Sequence, residues 1–361
     1  MTTQLRRPDL SSHIGMDAIV EQARGSPVAL ANVARTLVLS KGAADRALML
    51  ADQALAMAPG DGEVRAIHAE VFSADVGSWY FPMVLDAQRH AAYARAMRRA
   101  LAGGGRVLEI GAGTGLFAMM AARAGADQVV ACERRPAVAA AAKQVVADNG
   151  LQDRVKIVAK PSADLAIGVD LAGPADVLIW DNLANDLLSA GALPAIEDAI
   201  RRLIKPGATI IPARCAIKAA LAEDRNWRRR RMARAEAFDL SAFNKLAKPV
   251  YTMTCDSEDL VIRSNSAVLF DFDFRSGGPF PAGKTLRPVT GNGGPANGVV
   301  QWLTFQLDDD EIYDPSPGAP AIAFGLEFHP SQAAFEVELG ATYAIGASHD
   351  RDHLRVWLED T

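Results

Sequence analysis

The sequence predicts an α/β protein with extra helices before its parallel sheet and an all-β region after it. Between residues 103 and 212, short apolar runs such as DQVVACE and ADVLIWD alternate with alanine-rich helical stretches. Buried strands without polar alternation, joined by helical crossovers, are typical of a parallel, doubly wound, Rossmann-like sheet. After residue 213, strand patterns such as AVLFDFDF and QAAFEVEL are separated by Gly- and Pro-rich segments, which indicates an antiparallel sheet or barrel. We therefore expect a helical extension over 1–75, a Rossmann-like domain over 76–212 and a β-barrel domain over 213–361.

The N-terminal region has the pattern of paired helices. ALMLADQALAMAPGDGEVRAIHAEVF predicts a helix, a break at Pro-Gly-Asp-Gly and a second helix. This pattern looks like part of a tetratricopeptide repeat, in which such helix pairs stack to bury their apolar faces. About one and a half units are visible, so an ordinary helical extension explains the pattern equally well. Neither interpretation predicts catalytic or ligand-binding residues in this region.

Composition narrows the function classes. The chain has 361 residues and a net charge of −5, which disfavours a general nucleic-acid binder. No apolar run approaches the roughly 20 residues needed to span a bilayer, and the start lacks the apolar core of a signal peptide. Cys132, Cys215 and Cys255 stand far apart, which argues against disulfides or a thiolate zinc site. We expect a soluble cytoplasmic protein without nucleic-acid or membrane partners.

A metal site is also not expected. His349 and His353 are four residues apart and flank aspartates. The following stretch, HLRVWLED, predicts a strand, in which these two side chains would not converge as they do on a helix.

The strongest motif is VLEIGAGTGLFAMMAARAGADQVVACE. Gly111, Gly113 and Gly115 follow an apolar strand and open a helix, where glycines let the backbone turn sharply and approach a ligand. A nicotinamide-type G-x-G-x-x-G would place glycine where this chain has Leu116. Glu133 ends the next strand, 18 residues after Gly115, where a carboxylate can accept hydrogen bonds from both hydroxyls of a ribose.

Together with the acidic Glu109 in the first strand, this combination resembles the nucleoside-binding half of class I methyltransferases, which use S-adenosylmethionine. A Rossmann-like domain that binds nothing is the alternative. Further stretches resemble, in family order from about residue 79 onward, the motifs of protein arginine methyltransferases. These stretches are MVLDAQRHAAYARAM, GTGLFAMMAARAGA, KPSADLAIG, DLLSAGALP, FDLSAFNKL and HPSQAAFEV.

The resemblance implies roles for individual residues. Arg89 would pair with the methionine carboxylate of the cofactor, a contact suited to a guanidinium fork. Glu133 would hold the ribose, Ser162 and Asp164 would face the adenine, and Met83 would sit near the methyl group. Taken without the resemblance, Arg89 fits the polar face of an amphipathic helix, and Met83 fits a core position.

The resemblance also implies an oligomer. The segment 223–250, with EDRNWRRRRMARAEAFDLSAFNKLAK, corresponds to the helical arm through which family members dimerise. We therefore expect a homodimer. The four consecutive arginines in this segment are expected on a solvated helix face rather than in an acidic-peptide site.

The catalytic end departs from the family pattern. In these methyltransferases two glutamates on a hairpin clamp the substrate guanidinium. Laying DNLANDLLSAGALP over that hairpin puts Asp181 at the first glutamate and Ala190 at the second. Asp186 lies between them and either joins the clamp or caps the following helix. His329 is a further polar candidate, but Pro330 follows it where the family has a stacking tryptophan.

One carboxylate suits a guanidinium poorly, because arginine stays charged at neutral pH and is costly to desolvate without acceptors. A histidine imidazole, with a pKa of about 6.5, is mostly neutral and needs only one carboxylate to fix its tautomer. We therefore expect an S-adenosylmethionine-dependent N-methyltransferase of a side-chain nitrogen in a peptide or protein, with histidine slightly favoured over arginine. The alternatives are an arginine methyltransferase that clamps with Asp181 and Asp186, a small-molecule N-methyltransferase, and a catalytically silent binding module.

Overall fold

The computed structural model describes residues 13–38, 40, 43–74, 76–77, 79–181, 183–320 and 323–359. The chain divides into two units, Met1–Ser78 with Arg135–Ala141, and Trp79–Arg134 with Ala142–Thr361. The parallel sheet and the antiparallel sheets both belong to the second unit, and the expected domain boundary near residue 212 stays a prediction.

The N-terminal unit is helical, as the sequence predicts. The Pro-Gly-Asp-Gly break separates two helices, and Asp61 begins the second by accepting hydrogen bonds from the backbone N–H groups of Glu63 (2.8 Å) and Val64 (3.2 Å). Apolar side chains of these helices, including Leu30 and Leu50, form a buried core. The relation to tetratricopeptide repeats stays a prediction. The helices are α1 (His13–Ala23), α2 (Pro27–Val38), α3 (Ala44–Met57) and α4 (Gly62–Ser73).

A five-stranded parallel sheet confirms the Rossmann-like prediction. Its strands are β1 (Arg106–Ile110), β2 (Gln128–Cys132), β3 (Val155–Val158), β4 (Ala175–Trp180) and β5 (Ile204–Ile211), in the order β3-β2-β1-β4-β5. The helices are α5 (Tyr80–Met83), α6 (Ala87–Ala100), α7 (Leu116–Ala124), α8 (Pro136–Asp148) and α9 (Ala192–Arg202). The strand order reverses between β1 and β4. Doubly wound sheets bind ligands at the carboxyl ends of the strands at such a reversal, which is where Gly111 and Asp181 follow β1 and β4.

Antiparallel sheets make up the C-terminal region, as predicted. The largest described sheet has seven strands. Five of them lie side by side in the order β10 (Leu260–Ile262), β6 (Arg214–Asp224), β13 (Gly294–Gln306), β15 (Leu326–Val337) and β9 (Tyr251–Met253). The other two are β11 (Ala267–Asp273), which pairs with β6, and β14 (Ile312–Tyr313), which pairs with β13. A three-stranded sheet contains β12 (Gly283–Thr290), β16 (Thr342–His349) and β17 (Leu354–Leu358). Helix α6 is tied to this region by an ion pair between Arg99 and Asp308, with Nε and Oδ2 2.8 Å apart.

The segment 223–250 has helical turns only of the 3-10 type, at Trp227–Arg230 and Ser241–Leu246, on either side of a small hairpin of β7 (Arg234–Ala235) and β8 (Phe238–Asp239). Arg228, Arg229 and Arg230 are exposed on the first of these turns, as expected for a solvated face, whereas Arg231 is half-buried. Arg230 pairs with the fully buried Asp224 (Nε to Oδ2, 3.1 Å) and lies over the ring of Tyr251. Arg231 donates to the carbonyl of Ser331 (2.8 Å). These tertiary contacts hold the start of the segment on the sheet and override its helical pattern.

None of the described helices has the length and apolar character that crossing a bilayer requires. Across the described ranges, no three His, Cys, Asp or Glu side chains are grouped as metal ligands. The cytoplasmic location stays a prediction.

Candidate active site

The glycine loop after β1 adopts a backbone that favours glycine. Gly111, Gly113 and Gly115 have φ angles of 88°, 51° and 79°, in the left-handed region. The N–H of Gly113 donates to Oε2 of Glu133 (3.2 Å), which is 4% exposed at the end of β2. A Cβ on Gly113 would lie 3.3 Å from the ring of Tyr80. The loop, Glu133 and the N-terminal end of α5 therefore meet at one place.

Beside this loop is a cavity of ≈260 Å³. Three of the predicted cofactor residues line it, namely Gly111, Glu133 and Ser162, and α9 contributes Pro194 and Asp198. A buried carboxylate at a strand end, glycine backbone and small side chains fit a nucleoside. Asp164 lies in the same 3-10 turn as Ser162 but is exposed and does not line the cavity. Its adenine role stays a prediction.

Arg89 and Asp181 form a buried ion pair. Nη2 of Arg89 contacts Oδ2 of Asp181, and the two side chains are 4% and 6% exposed. Tyr93, one turn after Arg89 on α6, donates its hydroxyl to Oδ1 of Asp181 (3.0 Å). Burial lowers the pKa of Arg89, and its guanidinium carbon lies 4.4 Å from the ring centroid of Phe117. The Nε of Arg89 is buried and has no hydrogen-bond partner in the described part of the chain, so this guanidinium retains a donor for an anionic ligand.

Asp86 fixes the start of the helix that carries Arg89. It is 1% exposed, and its Oδ1 accepts the backbone N–H of Arg89 (2.9 Å) as the N-cap of α6. Its Oδ2 accepts hydrogen bonds from the Tyr313 hydroxyl (2.6 Å) and from the N–H of Ala323 (3.0 Å). Both residues belong to the C-terminal β region, residues 213–361. Burial and the hydrogen bond to Asp86 raise the pKa of Tyr313. Neither Asp86 nor Tyr313 was predicted from the sequence, although an aspartate before a helical pattern is an N-cap signal.

Glu109 is a buried acidic residue inside strand β1 rather than at a strand end. It is 2% exposed, and its Oε2 has no hydrogen-bond partner among the described residues. Burial raises its pKa well above the ordinary value, and the backbone N–H of Ala118 partly opposes this. Glu109 does not line the cavity, and its cofactor role stays a prediction.

Asp186 makes local contacts but does not cap α9, whose N-cap is Gly191 without a side-chain hydrogen bond. The place of Asp186 in the clamp stays a prediction. Its Oδ1 accepts the N–H groups of Leu188 and Ser189, each at 3.1 Å, and the Ser189 hydroxyl at 2.6 Å. These bonds form a turn that leads into the 3-10 turn Ser189–Gly191, in which Ala190 lies. An aspartate that accepts N–H groups two and three residues ahead is typical of an Asx turn.

A second carboxylate, which the sequence did not predict, contacts the segment that corresponds to the family's hairpin. Oε1 of Glu327, on β15, accepts hydrogen bonds from Nδ2 of Asn185 (3.0 Å) and from the Thr252 hydroxyl (2.9 Å). The Asn185 carbonyl in turn accepts from Nε2 of Gln301 on β13 (3.0 Å), and its Oδ1 accepts from the N–H of Gly325 (3.0 Å). Asn185 is therefore bound to the β region through both its side-chain amide and its backbone carbonyl.

His329 and Met83 occupy different surroundings. His329 lies on β15 two residues after Glu327, so the two side chains share a face of the strand. Its Nε2 is buried without a hydrogen-bond partner in the described ranges, and burial lowers its pKa to about 4. Met83 ends α5 and is partly exposed. The catalytic roles of both stay predictions.

Comparisons with known proteins agree with this geometry. A methyltransferase domain model matches residues 107–207. An arginine N(omega)-methyltransferase of Streptomyces achromogenes subsp. streptozoticus is 28% identical over 340 residues, which cover 92% of this chain and 93% of that protein. A protein arginine N-methyltransferase 7 of Oryza sativa subsp. indica is 30% identical over 251 residues, which cover 63% of this chain and 35% of that protein.

Solved structures show the same fold. The Trypanosoma brucei PRMT1 enzyme-prozyme complex with AdoHcy aligns with a TM-score of 0.69 at 20% identity, covering 80% of this chain and 95% of that chain. Arabidopsis thaliana protein arginine methyltransferase 10 aligns with a TM-score of 0.66 at 16% identity, covering 80% and 100%. The methyltransferase domain match bears out the predicted cofactor, S-adenosylmethionine. The chain is an S-adenosylmethionine-dependent methyltransferase that is similar to protein arginine methyltransferases.

Proposed function

We propose that this enzyme methylates a guanidinium nitrogen of arginine in a peptide or protein. The observation that carries the proposal is the buried Asp181 at the carboxyl end of β4, held on one oxygen by Arg89 and on the other by Tyr93. A carboxylate has about four acceptor sites, so two remain for substrate N–H groups. Bound in this way, a guanidinium has a fixed orientation, and catalysis rests on positioning.

The preference for histidine over arginine is not supported. It rested on the loss of one carboxylate from the hairpin, and both relatives described above are named for arginine. The cofactor supplies an electrophilic methyl group. Arg89 and the glycine loop bind it, and Asp181 orients the nitrogen that receives the methyl group.

Free arginine is a second candidate substrate. The Streptomyces relative, which aligns along 92% of this chain, is named for arginine without mention of a protein. The plant relative, named for protein arginine, aligns over 63% of this chain.

The test uses the purified chain with methyl-labelled S-adenosylmethionine and four acceptors: an arginine peptide, a histidine peptide, free arginine and free histidine. The products are hydrolysed where needed and the labelled amino acid is identified by mass spectrometry. We expect labelled methylarginine from the arginine peptide. Labelled methylhistidine as the main product would overturn the proposal, and label in free arginine alone would favour the second candidate.

We propose in addition that the protein is a homodimer joined through the segment 223–250. Large apolar side chains of this segment are exposed: Met232 (48%), Phe238 (72%), Phe243 (58%) and Leu246 (73%). Several such side chains on one short surface segment are typical of a protein interface.

A further inference from the structure

We propose that Glu327, on strand β15, supplies the second carboxylate for the substrate guanidinium, in place of the glutamate that the hairpin lacks at Ala190. This inference rests on the proposed arginine specificity. It assigns to the β region a substrate contact that the resemblance assigns to the hairpin.

The position of Glu327 is fixed by the hairpin itself. Asn185 follows Asp181 by four residues, so the two Cα atoms are at most roughly 14 Å apart. The Asn185 side chain donates to Oε1 of Glu327 (3.0 Å), and Thr252 donates to the same oxygen (2.9 Å). The other oxygen, Oε2, has no hydrogen-bond donor among the described residues. Glu327 is therefore a positioned carboxylate with one oxygen available.

Its neighbours on the sheet also have polar atoms without partners. Gln301 pairs directly with Glu327 across β13 and β15. It is fully buried and donates to the hairpin at the Asn185 carbonyl (3.0 Å), but its Oε1 has no partner within the described ranges. Buried polar atoms without partners are rare in folded proteins and costly. A guanidinium offers five N–H donors, which suits two unused acceptors, whereas a neutral imidazole offers one.

Charge supports the same assignment. The carboxylate of Asp181 is already paired with Arg89, so its negative charge is largely offset within the protein. A second guanidinium at this place would be repelled by the first unless another carboxylate is near. Glu327 has no cationic partner among the described residues, since both of its donors, Asn185 and Thr252, are neutral.

The main test is Glu327→Gln, with Glu336→Gln as the matched control. Glutamine keeps the acceptor oxygen that Asn185 and Thr252 use but removes the charge. Glu336 lies on the same strand and is exposed. We expect Glu327→Gln to raise the KM for an arginine peptide by roughly 10- to 100-fold while the Kd of S-adenosylmethionine stays within about twofold. Glu336→Gln should change neither value.

A binding measurement distinguishes a charge contact from a structural role. A citrulline peptide has the shape of the arginine peptide without its charge. We expect the wild type to bind the arginine peptide more tightly than the citrulline peptide. In the Glu327→Gln variant most of this difference in affinity should be lost. Adding Ala190→Glu to Glu327→Gln restores a carboxylate at the hairpin position, and we expect it to recover part of the arginine KM.

The outcomes separate this proposal from the function on which it rests. If the wild type methylates arginine and Glu327→Gln keeps both KM and the arginine preference, Glu327 is not the second carboxylate although the function stands. If the wild type does not methylate arginine at all, the function fails and this inference fails with it. If Glu327→Gln weakens the binding of arginine and citrulline peptides equally, the proposal for Glu327 is also overturned, because an equal loss of affinity indicates a structural effect.

Discussion

Arg89 and Asp181 neutralise each other in a buried pair that joins helix α6 to the end of strand β4. In the proposed function the pair would connect cofactor and substrate, since the Nε of Arg89 has no partner among the described residues and Asp181 has acceptor sites left. A change at either residue leaves the other charge buried without its counter-ion. We therefore expect binding of the cofactor and of the substrate to be coupled electrostatically.

Replacing Asp181 should affect both activity and stability. We expect Asp181→Asn to lower kcat/KM by about 100-fold or more and the free energy of unfolding by about 3 kcal/mol, because Arg89 stays buried without its counter-charge. Steady-state kinetics and urea denaturation measure the two effects. Asp186→Asn is the control: asparagine keeps an Oδ1 acceptor for the local turn, so we expect the free energy of unfolding to change by less than about 1 kcal/mol and activity to stay within a few-fold of wild type. Loss of methylation in Asp186→Asn but not in Asp181→Asn would contradict this assignment.

The glycine loop offers a test of cofactor binding. Gly113→Ala places a Cβ at a φ of 51° and 3.3 Å from the ring of Tyr80. Strain of about 1 kcal/mol or more should weaken S-adenosylmethionine binding by at least about fivefold, as measured by titration calorimetry. Gly168→Ala is a matched control, because Gly168 has a φ of 87° in a site with no atom within 4 Å of the added Cβ. Equal cofactor affinity in the two variants would contradict the loop's role.

The meeting of the glycine loop with Glu133 could be predicted from local patterns, because the two lie close in sequence. The three glycines and Glu133 fall within one β-α-β unit, where spacing fixes geometry. The contacts that position the substrate end could not be predicted in this way. Tyr313 and Asp86 are 227 residues apart, and Glu327 reaches Asn185 across 142 residues. Their meeting depends on how the antiparallel sheet packs against the hairpin, which no local periodicity encodes.

His329 should make stability sensitive to acid. Burial lowers its pKa to about 4 in the folded protein, against an ordinary value near 6.5 in the unfolded chain. Between these pH values the unfolded chain binds a proton that the folded chain does not. The contribution of neutral His329 is therefore fully present above about pH 6.5 and is lost as the pH falls to about 4, by up to about 3 kcal/mol.

The measurement compares urea denaturation of the wild type and His329→Gln from pH 7.5 to pH 4.5. We expect the variant to lose less stability over this range, because glutamine does not titrate. The exposed His353→Gln serves as control and should follow the wild type. Parallel curves for wild type and His329→Gln would show that this imidazole does not resist protonation in the folded protein.

The segment 223–250 should control the oligomeric state. Replacing Phe238 and Leu246, which are 72% and 73% exposed, by aspartate places charges on the apolar surface of the segment without disturbing buried contacts. If this surface joins two subunits, burying those charges costs several kcal/mol, and we expect a monomer with weakened methylation. Light scattering at several protein concentrations measures the mass. Leu286→Asp and Leu339→Asp, at exposed positions outside the segment, are the controls and should leave the mass unchanged. A Phe238→Asp, Leu246→Asp variant that remains dimeric would place the interface elsewhere on the molecule.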